Sequence, residues 1–285
     1  MKKTIWMLLP ALVLAACDKE DNAGEMPTDG RIEIVTGVEA LTRAPQLDDT
    51  GAGNFRTGDT FTLTVSSNGK SVQKAYTVGS TTLYWQDLAM EGDKVTFAGC
   101  YPNHIGNGGS TFDFDAKNAL DADLLLAPAV EAVKGAKSVA MPFRHAMHKL
   151  VVKYVSDDTY AAGALSGIST TLRAYAVCTV DLAKGAVAKN SAKTPTDYTA
   201  KNGKNVSWLV VPQNKDGVTL TVTLDGQSRE FTLPATTTEG KPLTMLDGGK
   251  TLSVTLRVSK NGITLEGTII GKWEEQGSID DEIEI

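Results

Sequence analysis

Basic residues are in short supply: 28 Lys and Arg face 34 Asp and Glu across 285 residues, for a formal net charge of −6. No basic stripe exists to neutralise phosphates, which excludes nucleic acid as a partner. Cysteine is scarcer, with three in the chain, and Cys100 and Cys178 stand far apart without motif spacing. That favours two buried thiols, although a single bridge between them stays open in an oxidising envelope. Catalytic motifs are missing too, with no Gly-x-Ser-x-Gly elbow, no His-Glu-x-x-His and no Cys-x-x-Cys. No enzyme class has a residue constellation behind it, and neither cofactor nor metal is expected. Past the first few residues no apolar run approaches the length that spans a bilayer. Helical signals are confined to residues 119–127, which suit a short helix or a strand, and to one turn at 159–165.

What is present begins with a leader. Lys2 and Lys3 precede an apolar run over residues 5–13, too short to span a bilayer, which Leu14-Ala15-Ala16-Cys17 closes. The pattern predicts a lipoprotein signal peptide over 1–16, cut before Cys17, whose freed amino group and thiol are then acylated. At about 0.8 kcal/mol per buried CH₂, several acyl chains anchor firmly where one is marginal. Asp18-Lys19-Glu20-Asp21-Asn22 opens a polar tether over 17–30. The mature protein is therefore expected to be an outer-membrane lipoprotein, held through lipid on Cys17.

From Arg31 onward the chain is a series of short period-two segments separated by turn residues, the pattern of antiparallel strands that each bury one face. Phe61, Leu63 and Val65 alternate with threonines and serine and run into Asn68-Gly69. Val218, Leu220, Val222 and Leu224 alternate with threonines and run into Asp225-Gly226. Further strands are expected at 94–98, 111–115, 138–143, 149–155, 170–177, 207–211, 229–233, 251–259 and 263–270. The spacing predicts an all-β protein of two sandwiches, 31–143 and 144–285, with 149–155 and 170–177 as neighbouring strands of the second.

A set of ordered segments then resembles the fimbrillin family of anaerobic gut and oral bacteria, the Mfa-like and FimA-like pilins and related surface lipoproteins. After the lipoprotein box come Ile32-Glu33-Ile34-Val35-Thr36, Leu41-Thr42-Arg43-Ala44 and Phe55-Arg56-Thr57-Gly58-Asp59. Val95-Thr96-Phe97-Ala98-Gly99-Cys100-Tyr101-Pro102 follows, then Asp123-Leu124-Leu125-Leu126-Ala127 and Phe143-Arg144-His145-Ala146-Met147-His148-Lys149-Leu150. Trp208-Leu209-Val210-Val211-Pro212-Gln213 and Trp273 complete the order. The resemblance implies tandem transthyretin-like antiparallel β-sandwiches and a non-catalytic fimbrial subunit or accessory that contributes to adhesion. Its partners would be other fimbrial subunits or further copies of itself, joined by strand addition, and a host or bacterial surface receptor. It also implies cleavage by an arginine-specific protease in the N-terminal segment, for which Arg43-Ala44 is the matching bond; the plain alternative is a solvated loop arginine, with Pro45 just beyond. Residues 31–36 would be the strand so removed. At the C-terminus Ile279, Ile283 and Ile285 are separated by acids, with strand-like alternation in Ile283-Glu284-Ile285, and are expected to form part of a donated strand.

Other residues have plain readings. His145 and His148 are three apart on what reads as strand, which turns them to opposite faces and argues against a metal site. His104 adjoins Gly106-Asn107-Gly108-Gly109, a loop without the context of a phosphate cradle. Asp280-Asp281-Glu282 and Glu284 read as a solvated tail. Trp85, Trp208 and Trp273 suit a core, while on a surface they would suit the alternative function, a glycan-binding lipoprotein of a nutrient-uptake system.

Overall fold

The computed structural model describes residues 30–38, 55–104, 109–119, 122–156, 162–259 and 262–272. Among them the helical segments are short 3-10 turns at Trp85–Leu88, Ala162–Gly167 and Lys215–Gly217. The first half contributes β1 (Arg31–Val38), β2 (Thr60–Ser67), β3 (Lys70–Thr77), β4 (Leu83–Tyr84), β5 (Lys94–Tyr101), β6 (Thr111–Asp115), β7 (Leu125–Val133) and β8 (Ser138–His145). The second contributes β9 (His148–Ser156), β10 (Ser169–Ala174), β11 (Val177–Asp181), β12 (Ala186–Lys189), β13 (Thr196–Asp197), β14 (Lys201–Asn202) and β15 (Asn205–Val210). It continues through β16 (Gln213–Asn214), β17 (Thr219–Leu224), β18 (Gln227–Thr232), β19 (Met245–Leu246), β20 (Lys250–Ser259) and β21 (Gly262–Lys272).

Turn chemistry sets the two hairpins read from the sequence. Asn68 and Gly69 sit at φ 48° and 78°, and Asp225 and Gly226 at 51° and 77°. Two successive residues of positive φ match the right-handed twist of the flanking strands, and Ser67 pairs with Lys70 while Leu224 pairs with Gln227.

The first-half strands run in the order β3-β2-β5-β7-β8-β1-β4. The link between β7 and β8 is only Leu125↔His145 and Leu126↔Arg144, so β8, β1 and β4 form a second layer over a shared core. Phe61, Leu63, Val65 and Phe97 from one layer and Ile34, Met141 and Phe143 from the other fill that core. The second half builds another sandwich from β15-β9-β20-β21 and β13-β10-β17-β18, with Leu150, Val152, Leu172, Leu220, Leu252 and Val254 between them. A third sheet, β12-β11-β6, joins the halves, since β6 precedes β7 in the chain and β11 follows β10. Its core gathers Cys100, Phe114, Leu126, Met147, Cys178 and Val211.

Three details depart from the sequence reading. Residues 170–177 are two strands, because the chain breaks at Tyr175-Ala176. Buried Gln213 satisfies that break: its Oε1 accepts from the Tyr175 N–H at 3.1 Å, and its Nε2 donates to the Tyr175 and Val211 carbonyls at 3.2 and 2.9 Å. Nor does β10 pair with β9; it faces β9 across the core, with the Tyr154 and Thr170 hydroxyls 2.6 Å apart. Finally, two ladders are parallel, β1 with β8 and β9 with β20. Period-two alternation marks which face is buried and leaves partner and direction open. The ambiguous 119–127 segment resolves as strand from Leu125 onward.

Candidate functional site

The N-terminal strand is the described element expected from the sequence to be removable. In β1, Ile32 and Ile34 point into the first core while Arg31, Glu33 and Val35 are exposed, as alternation requires. Full burial of an isoleucine is worth about 1.5–3 kcal/mol. The strand pairs in parallel with β8 from Glu33↔Ser138 to Val38↔Phe143, and on its other side, among the described residues, only Arg31 and Ile32 pair, with β4. It is thus a rim strand for most of its length. At its start the Trp85 N–H donates to the Gly30 carbonyl at 2.9 Å and the Trp85 ring Nε1 donates to the Ala136 carbonyl at 2.9 Å.

Beneath β1 lies an aromatic group. The Phe55 ring stands 4.7 Å from Phe143 and 5.5 Å from Phe61, and Phe61 stands 5.0 Å from Tyr76. Burial holds the Tyr76 hydroxyl above its usual pKa, Glu33 adds to the effect, and a hydrogen bond from the Ile34 backbone opposes it. One face of β1 therefore closes the core, and its far edge pairs with few of the described residues.

The other residues singled out in the sequence are scattered. Cys17, Arg43, Ala44, Trp273, Ile279, Ile283 and Ile285 lie outside the described residues. His145 and His148 are on different strands, β8 and β9, rather than on one, because the chain turns between them. His145 Nδ1 meets buried Asp123 Oδ1 at 2.5 Å, and His148 Nδ1 donates to the Asp247 carbonyl at 2.8 Å. The Asp123 contact escaped the sequence reading, since the partners are 22 residues apart. His104 stacks on Phe112, centroids 3.9 Å apart. Among the described residues no group of three His, Cys, Asp or Glu side chains converges on one point. Trp85 and Trp208 are buried, so neither offers a stacking face.

The family model for fimbrillin-like proteins matches residues 39–273. The chain belongs to the fimbrillin-like family. Its fold is similar to that of a candidate cell adhesion protein from Bacteroides uniformis, at 18% identity and TM-score 0.66, over 87% of this chain and 99% of that one. It is also similar to a candidate cell adhesion protein from Bacteroides ovatus, at 16% identity and TM-score 0.61, over 90% of this chain and 100% of that one. No curated protein sequence matches the chain. Membership carries a fimbrial or adhesive role at the cell surface, of a structural kind. In this fimbrillin-like protein no helix among the described residues is long and apolar enough to cross a membrane. Its free thiols suit a structural part: Cys100 and Cys178 are unpaired and buried, and burial raises both to about 12, so almost no thiolate is available to react.

Proposed function

We propose that this fimbrillin-like protein is a non-catalytic fimbrial subunit or accessory, delivered to the outer membrane as a lipoprotein acylated on Cys17 and assembled by strand addition. The supporting observation is the place of β1: it closes the first core with Ile32 and Ile34, yet among the described residues has little pairing on its outer side. The chain beyond it carries Arg43-Ala44. Loss of residues 31–43 would leave the β8 edge unpaired and two isoleucine-sized sockets open, both of which an incoming strand satisfies. Ile283 and Ile285 share one face of an extended segment with Ile279 and suit such a donor; Asp280, Glu282 and Glu284 face water on the other side, and Asp281 alone among the acids falls on the isoleucine side. The division into two sandwiches belongs to the same reading, its boundary moved from the expected 143/144, which falls inside β8, to the Ala146-Met147 link between β8 and β9, and a host or bacterial surface receptor would be the adhesive target.

Digestion of the full-length protein with an arginine-specific protease tests the assembly step. Cleavage after Arg43 is expected to leave the body folded and to shift it to high-mass species on size exclusion once the excised peptide leaves. A body that stays monomeric after losing the peptide, or resistance at Arg43 under native conditions, would overturn it. The anchor is tested separately. Cys17→Ser is expected to abolish incorporation of labelled palmitate and move the protein out of the membrane fraction, and a variant that remains acylated and membrane-bound refutes the lipoprotein step.

A further inference from the structure

The connection between the two halves is short and tightly held. From β8 to β9 it consists of Ala146 and Met147. On the first-half side the Ala146 N–H donates to the Leu124 carbonyl at 2.8 Å. On the second-half side the turn 247–250 grips it: the Gly249 N–H donates to the Met147 carbonyl at 2.9 Å. At Gly248 a Cβ would lie 2.5 Å from the Ala146 carbonyl oxygen, an approach only glycine permits. The same turn holds His148, whose Nδ1 donates to the Asp247 carbonyl. His148 is 2% exposed and, among the described residues, its Nε2 has no hydrogen-bond partner. A neutral imidazole tolerates that position at modest cost, whereas an imidazolium has a buried, unmatched donor.

We propose that the 247–250 turn and His148 form an acid-sensitive clasp on the Ala146-Met147 connection. Protonation of His148 opens the turn to hydrate the imidazolium and releases its grip on the connection, while the β6–β11 ladder keeps the two halves joined. The charged groups around His148 are Asp247 and Lys250, paired with each other at 2.7 Å, with the His145 and Asp123 pair three residues upstream. Burial lowers His148 from 6.5 to about 4, against the opposing pull of the Asp247 carbonyl and carboxylate. A folded value below the open-state value means that the closed clasp is fully favoured above about pH 6.5 and loses that advantage as the pH falls towards 4. The open turn should be about 30-fold more populated at pH 5 than at about pH 7.5. The clasp is independent of strand addition, and failure of that reading leaves it intact.

Hydrogen–deuterium exchange on the full chain tests it, with rates corrected for intrinsic pH dependence. Between pH 7.5 and 5, peptides covering 145–150 and 246–251 are expected to lose about 30-fold protection while those from β2, β5 and β17 keep theirs. Loss that is uniform across the chain, or absent, would overturn the clasp. In folded His148→Gln the local loss should vanish, and its persistence would also overturn the proposal. Should that variant not fold, NMR titration of the three histidines in the parent decides the matter. The local opening must share its midpoint with His148, and a different midpoint rejects the clasp.

Discussion

Phe143→Ala is expected to lower the unfolding free energy by about 3–5 kcal/mol, the cost of removing a fully buried ring and leaving a cavity. Phe143 has no exposed surface, and its ring stands 4.7 Å from Phe55 and 5.1 Å from Phe61 in edge-on geometry. From the other layer it meets β5 at Gly99, where a Cβ would come 2.6 Å from the ring edge. The ring therefore ties both layers of the first sandwich together, and neighbouring backbone cannot collapse into the space it leaves. Urea unfolding of the two variants measures the effect. Phe143→Leu should cost much less, about 1.5 kcal/mol or under, because volume is largely kept. A cost below about 1 kcal/mol for the alanine variant would show that the core relaxes around the loss. Gly99→Ala should be destabilising in the parent and nearly neutral beside Phe143→Ala, since each change acts on the same space.

Gly185→Ala is expected to cost about 2–4 kcal/mol, from two sources that act together. Gly185 has φ +58°, a left-handed conformation that costs an L residue about 1–2 kcal/mol. Its Cβ would also lie 2.6 Å from the Pro128 Cα, a backbone contact that cannot rotate away, and overpacking adds roughly 1–3 kcal/mol. The contact joins the β11–β12 turn to β7, where the ladder with β5 shifts register between Phe97 and Gly99. Pro128 suits that bulge because it has no N–H to donate. Gly240→Ala supplies the control, as Gly240 has φ +75° with nothing near its Cβ position. Thermal melts should place Gly185→Ala well below Gly240→Ala, and equal shifts would assign the whole effect to backbone conformation.

Much of the fold is legible in the chain itself. Alternation at Phe61, Leu63 and Val65 and at Val218, Leu220 and Val222 identifies core faces that are buried in the fold, since a strand's side chains alternate whatever its partner. Asn68-Gly69 and Asp225-Gly226 identify hairpins because positive φ is a local demand. The order of weak motifs pointed to the fimbrillin family, and the match over residues 39–273 established it. Tertiary structure alone decided the rest. The parallel pairing of β1 with β8, the cut at Tyr175 held by Gln213, and the meeting of Cys100 and Cys178 in one core all depend on residues distant in sequence. So does the separation of His145 from His148, each with its own partner, Asp123 and the Asp247 carbonyl. Period-two patterning records which side of a strand leaves water; the identity of the neighbour is set by long-range contacts that no local window contains.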